Sequence, residues 1–159
     1  MRLTILAVGR LKAGPERALY ERYAERVAAA GRAASFTLTL REFPESRAGS
    51  VPVRIAEENT ALLGAVADGS RLVILDSSGK GLTSQAFAGH LAEWRDGGVR
   101  DAAFIIGGPD GLAKTAIDRA NLVLPFGVMT WPHQLARIML VEQIYRAVTI
   151  LTGHPYHRE

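Results

Sequence analysis

Short apolar runs alternate with helix-forming stretches along the whole chain of 159 residues. Five runs rich in branched aliphatic residues are typical of strands and lie at 3–8, 36–40, 71–76, 102–106 and 122–124. Helical patterns fall between and after them, at about 15–31, 52–67, 83–96, 111–120 and 132–152. LVIL at 72–75 and AFII at 103–106 are continuously apolar, as in sheets covered on both faces. The order predicts an α/β fold with a mostly parallel sheet and helices on both faces.

Size and composition narrow the class of protein. A chain of 17.2 kDa suits one domain over residues 1–159. With 48% hydrophobic and 22% charged residues, wholesale disorder is excluded. The absence of cysteine excludes disulfides, thiolate zinc sites and cysteine nucleophiles.

The first apolar run is followed at once by Gly9, Arg10 and Lys12, which favours a strand over a secretory signal. No window approaches the roughly 20 apolar residues of a membrane span. We therefore expect a cytoplasmic protein without a membrane partner.

Positive charge is concentrated near the start of the chain. The net charge is only +3, yet residues 1–41 carry eight Arg or Lys against three Glu. Such a face suits a nucleic-acid backbone. Pairs such as Arg17 and Glu21 are equally consistent with a solvated helix held by ion pairs four residues apart.

Ligands of parallel sheets bind beyond the carboxyl ends of the strands, which directs attention to three late loops. They are DSSGKG at 76–81, GGPDG at 107–111 and FGVMTWPH at 126–133. The first lacks GxxxxGK[ST], which excludes a phosphate-loop NTPase and leaves a tight turn with Lys80 in solvent as an alternative. GRLKAG after the first strand lacks GxGxxG, which argues against a dinucleotide enzyme.

The other two loops favour a small ligand. Gly107 and Gly108 allow backbone to approach a ligand closely, although an ordinary strand-to-helix turn explains them too. GVMTWPH combines apolar surface with free backbone groups, which suits a flat heterocycle.

The final helix carries two apolar stripes and few charges. The first stripe faces the sheet and consists of Leu140, Ile144, Ala147, Val148 and Leu151. The second stripe suggests a second copy of the chain in a homodimer and consists of Leu135, Ile138, Val141 and Tyr145. His133 begins this helix and is either catalytic or structural. Arg137 either contacts an acidic group of a ligand, pairs with Glu142, or extends its head to solvent.

The last residues, HPYHRE, are rich in hydrogen-bond donors. His154 and His157 lack a third ligand at suitable spacing, so we expect no metal. Tyr156, His157 and Arg158 suit stacking on a base and contact with phosphate.

Four motifs together resemble the ribosomal large subunit methyltransferase H family of the SPOUT superfamily. They are LD-x-x-GK at 75–80, IIGGPDG at 105–111, MTWPHQLAR-x-x-L-x-EQ-x-YRA at 129–147 and the terminal HPYHRE. The match is collinear over the chain, and Asp110 stands where Glu is also common in the family.

The resemblance implies a deep C-terminal trefoil knot, a homodimer, and S-adenosylmethionine as cofactor. It also implies methylation of N3 of a pseudouridine, of the position-1915 type, in 23S rRNA of the assembled ribosome. Residue by residue, cofactor contacts fall on Leu75, Gly107, Gly108, Gly127, Val128, Met129, Thr130, Trp131 and Pro132.

A site that transfers an already activated methyl group needs alignment and help with proton loss more than a catalytic triad. His133, Arg137, Tyr156 and His157 form the predicted assisting set, with the tail acting on the partner subunit's cofactor. The alternative class is a non-catalytic RNA-binding module that uses only the basic face.

Overall fold

A computed structural model describes residues 1–157 and has one sheet of five parallel strands in the order β2-β1-β4-β3-β5. The elements are β1 Arg2–Val8, α1 Pro15–Gly31, β2 Thr37–Phe43, α2 Val51–Gly64, β3 Arg71–Leu75, α3 Ser84–Asp96, β4 Asp101–Ile106, α4 Lys114–Ile117, β5 Leu122–Leu124 and α5 His133–Leu151. The predicted α/β fold and parallel sheet are confirmed.

The sheet has a core on each face, because side chains alternate along a strand. In β1, Leu3 and Ile5 face the core formed with α1, α3 and α5, whereas Leu6 and Val8 face the core under α2 and α4. Most residues of the three central strands, β1, β4 and β3, are buried, which is why these strands are mostly apolar.

Two predicted elements differ from the structure. The helix expected at 111–120 is only the single turn of α4, because Gly108 and Gly111 first close a tight bridge and the chain turns again before β5. Strand β2 runs to Phe43, three residues beyond its predicted end. The sequence did not indicate this extension, because Arg41 and Glu42 interrupt the apolar run. Charged residues are tolerated on an edge strand such as β2.

The second apolar stripe of α5 is covered within the chain. Ile138, Val141 and Tyr145 are buried, and α1 packs beside them so that the Tyr23 and Tyr145 rings lie 6.2 Å apart. Of this stripe only Leu135 stays exposed. The stripe thus does not by itself require a second copy, and the homodimer stays a prediction.

Within residues 1–157 no helix combines the length and the apolar character needed to cross a membrane.

Candidate active site

The three loops meet at the carboxyl edge of the sheet around one cavity of about 570 Å³, which is within the range of small-molecule sites. Eight of the nine expected cofactor residues line it: Leu75, Gly107, Gly108, Gly127, Met129, Thr130, Trp131 and Pro132. The ninth, Val128, is 94% exposed and lies outside the lining. Residues as far apart in sequence as Leu75 and Pro132 therefore form one site.

The glycine loop after β4 forms a wall of the cavity. A Cβ atom on Gly107 would lie 2.8 Å from Leu112 Cγ, and one on Gly108 would lie 2.7 Å from Glu58 Oε2. A side chain at either position would require its neighbours to shift, and glycine there leaves the main chain of the loop at the cavity. Arg54 holds the far side of this loop through an ion pair with Asp110, 2.6 Å from Nε to Oδ2.

The loop after β3 is a turn stabilised by its own side chains. Asp76 Oδ1 accepts hydrogen bonds from the Ser78 backbone N–H at 2.8 Å and from the Ser78 hydroxyl at 2.6 Å. Lys80 is exposed, as the turn interpretation predicts. Asp76 and Ser77 nevertheless line the cavity and place a carboxylate at its edge.

The loop between β5 and α5 forms the apolar cover of the cavity. Its fold is held by Trp131, whose Nε1–H donates to the Phe126 carbonyl at 3.0 Å. Met129 is 70% exposed beside it. This combination gives a flexible apolar surface over main-chain hydrogen-bonding groups.

His133 lies in the first turn of α5 and lines the cavity. A Cβ atom on Gly9 would lie 3.0 Å from His133 Nε2 and 3.1 Å from Glu45 Oε1. The imidazole therefore rests against the end of β1, with a carboxylate from the segment after β2 nearby. Of the four predicted assisting residues, it is the one that the structure places at the cavity.

Arg137 is fully buried one turn further along α5 and does not line the cavity. Its Nη1 donates to Glu42 Oε1 at 2.5 Å, and its Nη2 donates to the Val8 and Gly9 carbonyls at 3.1 Å each. Burial lowers the pKa of Arg137, and the charge of Glu42 opposes this. Arg137 thus joins α5 to the ends of β1 and β2, and Glu142 pairs instead with Arg146.

Tyr156 packs against α1 and α5, away from the cavity of its own chain. Its hydroxyl donates to Glu142 Oε1 at 3.0 Å and lies 3.3 Å from the Tyr23 hydroxyl. Burial, followed by these hydrogen bonds, raises the pKa of Tyr156, which keeps the phenol protonated. His157 is half-buried and also absent from the cavity lining, and Arg158 lies outside the described residues.

Several cavity residues were missed from the sequence. Leu112 and Leu124 line the site with apolar atoms and carry no motif that distinguishes them from core residues. Glu58 lies behind the glycine loop, and Glu42 pairs with Arg137 outside the lining. Their only signal was a charge inside an otherwise amphipathic segment, which ordinarily indicates a solvated face.

Comparison with known proteins gives the family. The model described as "Predicted SPOUT methyltransferase" matches residues 1–157. The chain belongs to the SPOUT methyltransferase family. The family match therefore supports a methyltransferase rather than the alternative of a non-catalytic RNA-binding module.

Relatives of this SPOUT methyltransferase match along their whole length. Proteins of Bradyrhizobium sp. (strain ORS 278) and Rhodopseudomonas palustris (strain HaA2) are 53% and 54% identical over 159 residues, which is 99% of this chain and 98% and 99% of theirs. A protein of Rhizobium leguminosarum bv. trifolii (strain WSM2304) is 54% identical with equal coverage. All three are named "Ribosomal RNA large subunit methyltransferase H".

Two solved structures share the fold of this SPOUT methyltransferase. A probable methylase family protein from Haemophilus influenzae Rd KW20 has a TM-score of 0.52 at 11% identity, covering 99% of this chain and 70% of that one. A probable methyltransferase from Bordetella pertussis Tohama I has a TM-score of 0.51 at 15% identity, covering 92% and 95%.

The cofactor of SPOUT methyltransferases, S-adenosylmethionine, fits the charges of the cavity. Within the described residues the lining contains Asp76 and His133 but no Lys or Arg. Such a lining disfavours a polyphosphate and suits a ligand with cationic ammonium and sulfonium groups. The apolar cover and the free backbone of the glycine loop suit a heterocycle.

Proposed function

We propose that this chain methylates N3 of a pseudouridine in 23S rRNA of the large ribosomal subunit, in the assembled ribosome. The observation that carries the proposal is the name shared by relatives that are 53–54% identical over 99% of the chain. The convergence of the three loops on one cavity supports it, because a methyl donor and a nucleobase must meet within about 3–3.5 Å.

The residues proposed to hold the cofactor are those of the three loops. Leu75 and the Gly107–Gly108 backbone form one side, and Gly127 to Pro132 form the cover, with Val128 at its exposed edge. Bound S-adenosylmethionine supplies a methyl group already activated by its positive sulfur. The proposed trefoil knot would hold these loops together.

His133 is the proposed acceptor of the N3 proton. It lines the cavity, and its imidazole can take the proton that N3 loses as the new N–C bond forms. Glu45, near the same edge of Gly9, would stabilise the resulting imidazolium. Arg137 is a positioning residue in this proposal, since it fixes the turn that carries His133.

RNA is proposed to approach along the basic face of α1 and the loop before it. Arg10 and Lys12 are exposed just after Gly9, beside His133, and Arg22, Arg26 and Arg32 are exposed along and just after α1. Contacts of this kind depend strongly on salt, because binding releases counterions from the RNA.

The tail is proposed to act on the partner's cofactor in a homodimer. In its own chain Tyr156 lies beside Glu142, six residues along α5 from Ala136 at the cavity, or roughly 9 Å at 1.5 Å per residue. Deleting residues 154–159 should abolish methylation and leave cofactor affinity nearly intact. Loss of cofactor binding in the deletion variant would refute this division of roles.

Mass mapping of 23S rRNA tests the proposed substrate. In a strain lacking the protein, the rRNA fragment carrying the target pseudouridine should be lighter by one methyl group, and adding back the wild-type chain should restore the mass. The matched control adds back His133→Ala, which we expect to restore little. An unchanged fragment mass in the deletion strain would overturn the proposed substrate.

A further inference from the structure

One carboxylate next to the cofactor cavity has no use in the proposed reaction. Glu58 lies on α2 and is only 4% exposed. Its Oε1 accepts the Ser46 backbone N–H at 2.9 Å. Its Oε2 is buried and has no hydrogen-bond partner. A buried carboxylate oxygen without a partner is costly and needs a reason.

The orphan oxygen faces the glycine loop. A Cβ atom on Gly108 would lie only 2.7 Å from Glu58 Oε2, and Gly108 lines the cavity. The main chain of Gly108 is thus the layer between this carboxylate and the ligand space. Since glycine has no side chain and solvent is excluded on the Glu58 side, little material screens the charge.

The neighbouring charges compensate that of Glu58 only in part, because Arg54 interacts with it electrostatically but forms its ion pair with Asp110. Arg54, one helical turn earlier, directs its Nε and Nη2 to Asp110 and its Nη1 to the Ala48 carbonyl. In the described residues no cation lies within 4.0 Å of the Glu58 carboxylate. The Arg54–Asp110 pair is neutral as a unit, so the field of Glu58 extends into the cavity.

We propose that Glu58 is a specificity-determining residue that makes the cavity prefer the cationic methyl donor over its neutral product. S-adenosylmethionine carries a positive sulfur, whereas S-adenosylhomocysteine has a neutral thioether and is otherwise the same molecule. A buried negative charge behind Gly108 stabilises the first and is indifferent to the second. This inference rests on the proposed cofactor site and adds to it a means of releasing product.

The expected change in affinity for S-adenosylmethionine follows from Coulomb's law. Two unit charges about 8–10 Å apart, at an effective dielectric constant of about 20, change affinity by roughly 15- to 35-fold. Removing the charge of Glu58 should therefore weaken binding of S-adenosylmethionine by at least about tenfold and change that of S-adenosylhomocysteine by less than about twofold.

Isothermal titration calorimetry of the full chain with each ligand tests this. Glu58→Gln removes the charge and keeps the shape, and Glu58→Asp keeps the charge. The matched control is Glu57→Gln, which removes a neighbouring exposed carboxylate that binds the Ser46 hydroxyl at 2.5 Å. We expect the affinity for S-adenosylmethionine, divided by that for S-adenosylhomocysteine, to fall for Glu58→Gln. The same ratio should stay unchanged for Glu58→Asp and Glu57→Gln.

A merely structural role predicts a different pattern. If Glu58→Gln weakens both ligands equally, or leaves their ratio unchanged, the proposal is overturned. If circular dichroism shows that Glu58→Gln does not fold, calorimetry of the wild-type chain tests the proposal instead. The wild-type chain must then bind S-adenosylmethionine more tightly than S-adenosylhomocysteine, and the opposite order would overturn the proposal. A wild-type chain that binds neither ligand would instead overturn the proposed cofactor site, and with it this inference.

Discussion

Replacing Arg137 with methionine should be strongly destabilising. The substitution keeps most of the side-chain length but removes a cation with 0% exposure. It leaves the Glu42 carboxylate with only the longer ion pair to Arg17, 3.9 Å from Nη2 to Oε2, and removes the donor to the Val8 and Gly9 carbonyls. Removing one partner of a buried pair costs about 3–5 kcal/mol.

The structure places the expected loss at the lower end of that range. The Glu42 side chain is 18% exposed and keeps its hydrogen bond from the Leu11 backbone N–H, so part of its charge can be rehydrated. We therefore expect a loss of about 3 kcal/mol in the free energy of unfolding, a large share of the 5–15 kcal/mol of a typical domain.

Urea unfolding at pH 7, followed by far-UV circular dichroism, measures this loss. Arg2→Met is the matched control, because Arg2 also pairs with a carboxylate, Asp101, but its side chain is 70% exposed. Its stability should stay close to that of the wild type. Adding Glu42→Gln to Arg137→Met should recover stability, since the orphaned charge is then gone. A loss below about 1 kcal/mol for Arg137→Met would refute the reasoning from a buried pair.

Two further outcomes follow from burial. Burial raises the pKa of Tyr20 to about 12, so its contribution to stability is complete below pH 10 and is lost as the pH rises from 10 to 12, at about 1.4 kcal/mol per pH unit. In Tyr20→Phe the alkaline loss should be smaller by about 2–3 kcal/mol, and equal slopes in both proteins would contradict this. Gly108→Ala should weaken S-adenosylmethionine binding measured by calorimetry, because its Cβ meets Glu58 and Val8 at 2.7 and 3.0 Å. Gly81→Ala, with nothing within 4 Å, should bind normally, and equal effects of the two substitutions would disprove the steric argument.

The order of elements was predictable because it depends on local periodicity. The apolar β3 and β4 segments indicated a sheet covered on both sides, and the rule for parallel sheets placed the loops after Leu75, Ile106 and Leu124 at one edge. The length of α4 was not predictable in this way. The Gly108–Gly111 bridge delays its start, and Asn59, a buried residue of α2 whose Oδ1 accepts the Ala113 backbone N–H at 3.2 Å, binds the residue just before it from a distant part of the chain.

The roles of charged residues were less predictable than their positions. Arg137 was expected to contact a ligand or Glu142, and its partner is Glu42, 95 residues away. Tyr156 was expected near a cofactor, and in its own chain it lies against α5. Pairings of this kind depend on how helices pack on the sheet, which a single sequence does not encode in a local pattern.

The two buried charged residues of the described chain both contact segments next to residues that line the cavity. Arg137 and Glu58 approach from opposite faces of the sheet, one on α5 and the other on α2. Arg137 holds the end of β1 against the turn that carries His133, while Glu58 contacts the glycine loop after β4. Burying a charge costs stability, and natural chains accept such costs mainly where function requires a fixed geometry or field. A site that works by alignment rather than by a catalytic triad needs both, a rigid frame for its backbone groups and a field that distinguishes the charged donor from its neutral product.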